Sequence, residues 1–268
     1  MRILLCIMSF TCMLLASNRL VVLDPASIEI IYELGSGDDI VAIAHLQQSA
    51  IAPKEKTEKL PSVGSFSNPS IEKILSFKPT LVILSSYSLG LKERLEKLGI
   101  ATLYLQAQRL DDLFTNITTL ADLLHKQKAG EKLKDSIREA LLGLQKDPIK
   151  KSAIFLFSTN PLMGFADNSV IADIFRIIGV ENLTPASEAQ RPIISSEFIL
   201  KANPDMIILG IQAQDPAVLL QQNPAFKNLK AAQNKHIIAY PYTYSLLRVS
   251  PSIVGHIKSF KESLEQAQ

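Results

Sequence analysis

The pattern that most constrains how this chain can fold occurs twice. Residues 71–84 read Ile-Glu-Lys-Ile-Leu-Ser-Phe-Lys-Pro-Thr-Leu-Val-Ile-Leu, and residues 196–209 read Ser-Glu-Phe-Ile-Leu-Lys-Ala-Asn-Pro-Asp-Met-Ile-Ile-Leu. Each is a short helical segment with a Glu in its opening turn, then a Pro that a helix cannot continue through, then four unbroken apolar residues. Apolar runs without alternation are strands buried on both faces, which requires parallel pairing with helices above and below. One such unit in each half predicts an α/β chain of two lobes, each with its own parallel sheet.

The remaining segments fit that reading. Apolar strands are expected at residues 20–23, 40–44, 102–105, 153–157 and 237–239, and helices at 28–34, 89–98, 170–178, 216–222 and from Pro251 onward. Between the halves, Leu110, Leu113, Ile117, Leu120 and Leu124 recur at helical spacing, and Leu133, Ile137, Leu141 and Leu144 do so again. Gly130 and the polar Lys126-Gln127-Lys128 predict a break between two helices. At 1.5 Å per residue, the second helix would run roughly 25–30 Å, enough to join two lobes. The organisation expected is an N-terminal lobe at 18–108, linking helices at 109–147 and a C-terminal lobe at 148–268.

Charge and cysteine usage exclude several functions. With 28 Lys+Arg against 26 Asp+Glu, the net charge of +2 is spread along the chain, leaving no basic stripe for a nucleic-acid backbone. Both cysteines, Cys6 and Cys12, lie in the first segment, so the body has no disulfide, thiol nucleophile or zinc-thiolate site. That segment reads as an export signal over residues 1–17, with a charged start, an apolar run and small residues at a cleavage point. Lipid attachment at Cys12 is the weaker alternative. No later window of 18 residues is continuously apolar. A secreted α/β enzyme is the rival class, but no G-x-S-x-G, P-loop, G-x-G-x-x-G or H-E-x-x-H motif occurs, and Gly35-Ser36-Gly37 follows a helix instead of opening one.

Taken in order, the paired Glu–helix–Pro–strand units, Val21-Val22-Leu23-Asp24-Pro25-Ala26-Ser27-Ile28-Glu29, Val63-Gly64, Thr159-Asn160-Pro161, Gly179-Val180-Glu181-Asn182-Leu183 and Arg248-Val249-Ser250-Pro251 carry a resemblance. From Arg19 onward the chain resembles the periplasmic substrate-binding proteins of ABC importers for ferric siderophores, haem and cobalamin. The resemblance implies two Rossmann-like lobes joined by a long backbone helix, a ligand cleft between them, and a monomer that binds its cargo without resident cofactor or catalysis. It implies delivery to an ABC permease in the inner membrane. A co-receptor that binds a membrane partner without transport is a third class the residues leave open.

By the same resemblance, Phe66 and Tyr87 fall on N-lobe loops, and Arg109, Arg191, Tyr242, Tyr244 and Arg248 are cleft candidates. Arginine at position 191 suits carboxylate, catecholate or other anionic groups on a metal complex, through bidentate and permanently charged contacts. An ordinary surface ion pair, with a nearby Glu such as Glu188, is the alternative for Arg191 and for Arg109, and simple packing for Phe66 and Tyr87. Tyr240, Tyr242 and Tyr244 offer phenol oxygens suited to Fe(III), and His45 is the candidate metal-contacting imidazole. Glu72 and Glu197 correspond to the acidic residues that dock on permease arginines, and helix-dipole stabilisation is a role both can hold as well. The chain departs from the family in three places: cobalamin binders carry an aromatic where Arg191 stands, haem binders a Tyr where Ser65 stands, and catecholate binders often a His where Gln190 stands. An iron complex or siderophore is the leading ligand expected, followed by nickel chelate, haem and cobalamin.

Overall fold

In the computed structural model of the protein, residues 18–46, 49–213 and 215–267 are described. The expected export signal and both cysteines lie outside the described residues. The first half comprises β1 (Leu20–Val22), α1 (Pro25–Glu33), β2 (Ile40–His45), α2 (Lys54–Thr57), β3 (Ser62–Ser65), β4 (Asn68–Pro69), α3 (Ile71–Ser76), β5 (Leu81–Leu84), α4 (Lys92–Lys97) and β6 (Ala101–Tyr104). Its strands form one sheet in the order β4-β3-β2-β1-β5-β6. Two helices follow, α5 (Asp112–Leu123) and α6 (Gln127–Leu144). The second half comprises β7 (Lys151–Thr159), β8 (Leu162–Gly164), α7 (Val170–Ile178), β9 (Val180–Asn182), α8 (Ser196–Ala202), β10 (Met206–Gln212), α9 (Pro216–Gln222), α10 (Lys230–Gln233), β11 (Ile237–Ala239), α11 (Thr243–Leu246) and α12 (Ile253–Gln266). Its sheet runs β11-β10-β7-β8, with β9 paired to the opposite end of β7.

The duplicated pattern is one backbone design used twice. Ser70 caps α3 by accepting from the Lys73 N–H, and Ser195 caps α8 by accepting from the Phe198 N–H. Glu72 and Glu197 each occupy the second helical position. Lys78 and Asn203, the residues before the two prolines, both take left-handed backbone, at φ 46 and 44. A residue before proline is pushed out of the right-handed helical region, so this turn ends each helix and aims the chain into β5 or β10. Each strand is then stitched at its start to its parallel neighbour. Thr80 Oγ1 accepts from the Arg19 N–H at 3.0 Å before β1, and Asp205 Oδ2 accepts from the Ser152 N–H at 2.9 Å in β7.

Two expectations need correction. Pairing is parallel except at β3–β4 and β7–β8, which are antiparallel hairpins. The short strands β3 and β4 contain Ser62, Gly64 and Asn68 and so lack a continuous apolar run like that of β5, while β8 is only three residues long. Gly130 does not break the linking helices; the break falls at residues 124–126, and Gly130 lies inside α6. Its role is close approach, because a Cβ added there would sit 2.7 Å from the Ala121 Cβ on α5. The α6 helix is 18 residues, hence about 27 Å long at 1.5 Å per residue.

Arg109, at the entry to α5, is tied across to α7 in the second half. Its Nε donates to Asp173 Oδ2 at 2.8 Å and its Nη2 to Oδ1 at 2.5 Å, and the Leu110 N–H adds a third bond to the same carboxylate at 3.0 Å. Burial alone would raise the Asp173 carboxyl, but the bonds from Arg109 and Leu110, with the charges of Arg109 and Arg176, outweigh it and hold the group below its ordinary value. A carboxyl held low in the fold contributes stability that is fully present above roughly pH 4 and is lost as pH falls through the folded value.

Two outcomes are expected. Gly130→Leu should lower stability by about 1–3 kcal/mol through overpacking at Ala121, read from the urea midpoint. Asp173→Asn should cost about 1 kcal/mol at pH 7, a modest figure because the arginine is half exposed and screened. It should also flatten the decline of the urea midpoint between about pH 5 and pH 2, whereas an unchanged acid limb would show that the tie contributes nothing.

Candidate ligand cleft

The parallel strands of both sheets end at one place. In doubly wound sheets, ligands bind beyond the carboxyl ends of the strands, where loops diverge and backbone groups are free. Here β2 ends at His45, β3 at Ser65 and β6 at Tyr104 from the first half; Phe157 near the end of β7 and Gln212 at the end of β10 come from the second. All of these residues line a cavity of about 670 Å³.

Local sequence explains how the wall residues are presented. After β5, Ser88 Oγ accepts from the Ser85 N–H at 2.8 Å, closing a tight turn that projects Ser86 and Tyr87. In the β3–β4 hairpin, Ser65 Oγ accepts from the Asn68 N–H at 3.1 Å, and the Phe66 N–H is held by the His45 carbonyl at 3.0 Å. The two loops meet, with the Phe66 and Tyr87 rings 5.0 Å apart and tilted by 56°. On the facing side, the Arg191 guanidinium lies 4.5 Å over the Phe157 ring, and Phe165 packs edge-on against Phe157. Gln190 is steadied by its side-chain Nε2, which donates to the Asn168 backbone carbonyl at 3.3 Å.

Charges on the floor are largely cancelled. Arg248 is gripped by Glu29, whose Oε1 accepts from Nη1 at 2.9 Å, and its guanidinium also donates to the Ala50 carbonyl and Ser49 Oγ. Asp24 caps α1 through the Ser27 N–H and hydroxyl. Burial pushes the Asp24 carboxyl up, against the lowering effect of Ser27 and of Arg248. Among the described residues Arg191 makes no ion pair, so the alternative of a surface pairing with Glu188 is not met and its charge remains available to a guest.

The structure therefore brings six sequence-derived candidates to the wall: His45, Phe66, Tyr87, Arg191, Tyr244 and Arg248. It leaves two outside. Arg109 is engaged by Asp173, and Tyr242 stands exposed beyond the wall against Tyr240, with ring centroids 5.9 Å apart. Tyr240 belongs to the core, packed 4.7 Å from Phe260, and burial followed by the neighbouring Tyr242 pushes its phenol up to about 12. At 5% exposed it lies behind the cleft wall and not on it. No group of three or more His, Cys, Asp or Glu positioned for a metal ion occurs among the described residues. The sequence reasoning missed Asp24, Tyr104, Gln108, Phe157 and Gln212; the strand-end rule would have found Tyr104, Phe157 and Gln212, since each stands at or near the end of a recognisable parallel strand.

Glu72 and Glu197 are exposed, each in the first turn of its helix. Among the described residues, no helix is long and apolar enough to cross a membrane.

Comparison with known proteins agrees with this architecture. A vitamin B12-binding protein of Vibrio campbellii is 27% identical over 202 residues, which cover 74% of this chain and 72% of that protein. A possible iron-binding, periplasmic solute-binding protein of Staphylococcus epidermidis superposes with a TM-score of 0.81 at 19% identity, covering 92% of this chain and 98% of the other. A periplasmic haem-binding protein of Roseiflexus sp. does so with a TM-score of 0.75 at 23% identity, covering 94% and 99%. These structural likenesses establish the fold, a pair of parallel-rich sheets joined through helices with the cleft between them. Residues 20–244 match the description Periplasmic binding protein, and the chain belongs to that family.

Proposed function

We propose that this protein captures a corrinoid-type metal macrocycle outside the cytoplasm and delivers it to an ABC permease. The observation that carries this reading is the charge balance of the cleft. Among the described residues of the wall, Arg248 is neutralised by Glu29, and one Arg, Arg191, stays without an ion pair among aromatic and amide-bearing side chains. A nearly neutral, amide-fringed ring carrying a single phosphate in its nucleotide tail matches such a wall. A ferric tris-catecholate, with its several negative charges, would require more cations than the wall supplies. The aromatic that cobalamin binders carry at position 191 is replaced by Arg, whose planar guanidinium, stacked 4.5 Å over the Phe157 ring, offers a flat face on that side. The Vibrio relative's description as vitamin B12-binding supports the same ligand class.

A second reading, haem or another carboxylate-bearing iron complex, is favoured by that same free guanidinium. His45 at the rim would be the metal-contacting group for either cargo. Glu72 and Glu197, exposed at matched helical positions, are the proposed contacts to the permease, where complementary charge mainly speeds and registers encounter. Export through residues 1–17 and a monomeric state belong to the same proposal, as does a role in capture without catalysis.

Titration with cyanocobalamin, haemin and a ferric tris-catecholate, followed by calorimetry, tests the ligand class. Cyanocobalamin should bind with micromolar or tighter affinity and the catecholate at least about a hundredfold more weakly; the opposite order would refute the assignment. Arg191→Ala should weaken corrinoid capture about tenfold and reduce its dependence on salt. The double substitution Glu72→Ala with Glu197→Ala should leave capture unchanged while impairing uptake into cells that carry the cognate permease, so a loss of capture would remove both residues from a docking role.

A further inference from the structure

Glu29 lies outside the cleft wall, yet it controls a residue within it. It sits on α1 in the first half, 2% exposed, and accepts from four groups. Oε1 takes Arg248 Nη1 at 2.9 Å and the Ala52 N–H at 3.4 Å; Oε2 takes the hydroxyls of Ser250 and Ser252, each at 2.6 Å. Arg248, Ser250 and Ser252 come from the second half, so one buried carboxylate organises a five-residue segment of the opposite lobe. The guanidinium it holds is also bonded to the Ala50 carbonyl at 2.7 Å and to Ser49 Oγ at 2.5 Å. Only 10% of the Arg248 side chain is exposed, and its donors are turned into the floor although the residue borders the cavity.

We propose that Glu29 is a specificity-determining positioning residue: it withholds the charge of Arg248 from the cleft, so that among the described residues of the wall Arg191 alone presents a guanidinium or ammonium to the guest. The physical basis is the asymmetry of buried ion pairs. Removing one partner leaves the other charge uncompensated, and a long arginine side chain next to an open cavity can relieve that penalty by swinging into it. The cleft would then carry two free cations, and its preference would move from near-neutral guests toward dianionic ones. This inference rests on the proposed ligand class only for the direction of selectivity; the sequestration of Arg248 can be measured on the empty protein.

The test therefore has two arms. In the first, ligand-free full-length protein reacts with phenylglyoxal, and modification is followed by peptide mass spectrometry. Arg191 should react at least about tenfold faster than Arg248 in the wild type, and Glu29→Gln should bring Arg248 to within about threefold of Arg191. Equal reactivity in the wild type, or an unchanged Arg248 in the variant, overturns the proposal. In the second arm, Glu29→Gln should shift the ratio of haemin to cyanocobalamin affinity about tenfold toward haemin, the scale of one added ionic contact. The shift should vanish in the double variant Glu29→Gln with Arg248→Met. That double variant removes both buried charges together and serves if Glu29→Gln alone fails to fold. A selective loss of haemin binding in the double variant, where no uncompensated carboxylate remains, would make Arg248 a direct ligand contact and refute sequestration. Should the wild type bind neither compound, the functional reading fails while the first arm still decides whether Glu29 sequesters Arg248.

Discussion

A continuous apolar seam unites the two halves of this molecule, and the cleft exists because of where that seam stops. Leu20 and Ile28 of the first half pack through Leu113, Ile117, Leu120 and Ile137 of the linking helices to Phe155, Phe175, Phe260 and Leu264 of the second. Phe155 and Phe175 lie 5.8 and 6.3 Å from the Phe260 ring, so α12 is cemented to the β7 and α7 side by aromatic contact. Each sheet also keeps a smaller apolar cluster of its own, built around Val82 in one half and Ile207 in the other. Separating the halves would expose the shared cluster, and at about 25 cal/mol for each Å² of apolar area this strongly disfavours wide opening. Beyond the carboxyl ends of the strands the seam gives way to loops bearing serine, glutamine and aromatic side chains, and these form the walls.

Apolar packing is non-directional; it brings the halves together without fixing their angle. Directional contacts supply that information, and two of them cross between the halves with opposite polarity. Glu29 of the first half holds Arg248 of the second, while Arg109 at the linker entry is held by Asp173 of the second. Such pairs add little net stability, since desolvation offsets much of their attraction, but each is satisfied in a narrow range of geometries. A cleft fixed in this way requires little ordering when a guest arrives, which conserves affinity.

Much of this was legible in the linear chain because it depends on local chemistry. The α3–β5 and α8–β10 units were recognisable, since a Glu in the opening turn, a proline stop and four apolar residues each act within a dozen positions. The β3–β4 hairpin was not, as its residues pair without an apolar run. Gly130 was misread for a related reason: glycine ends helices and also permits close helix contact, and only the position of Ala121 on the neighbouring helix separates the two uses. Arg248 was recognisable as an arginine near a cleft and Arg109 was misplaced there, because the carboxylates that engage them lie 219 and 64 residues away in the chain.

The amino-acid sequence by itself determined the alternation of helix and buried strand, the duplication of that design and the family to which it belongs, because periodicity, capping and proline act over short distances. The tertiary structure alone decided which cations are free to meet a guest. A guanidinium's availability depends on whether a carboxylate from a distant segment reaches it first: Asp173 reaches Arg109, Glu29 reaches Arg248, and none among the described residues reaches Arg191.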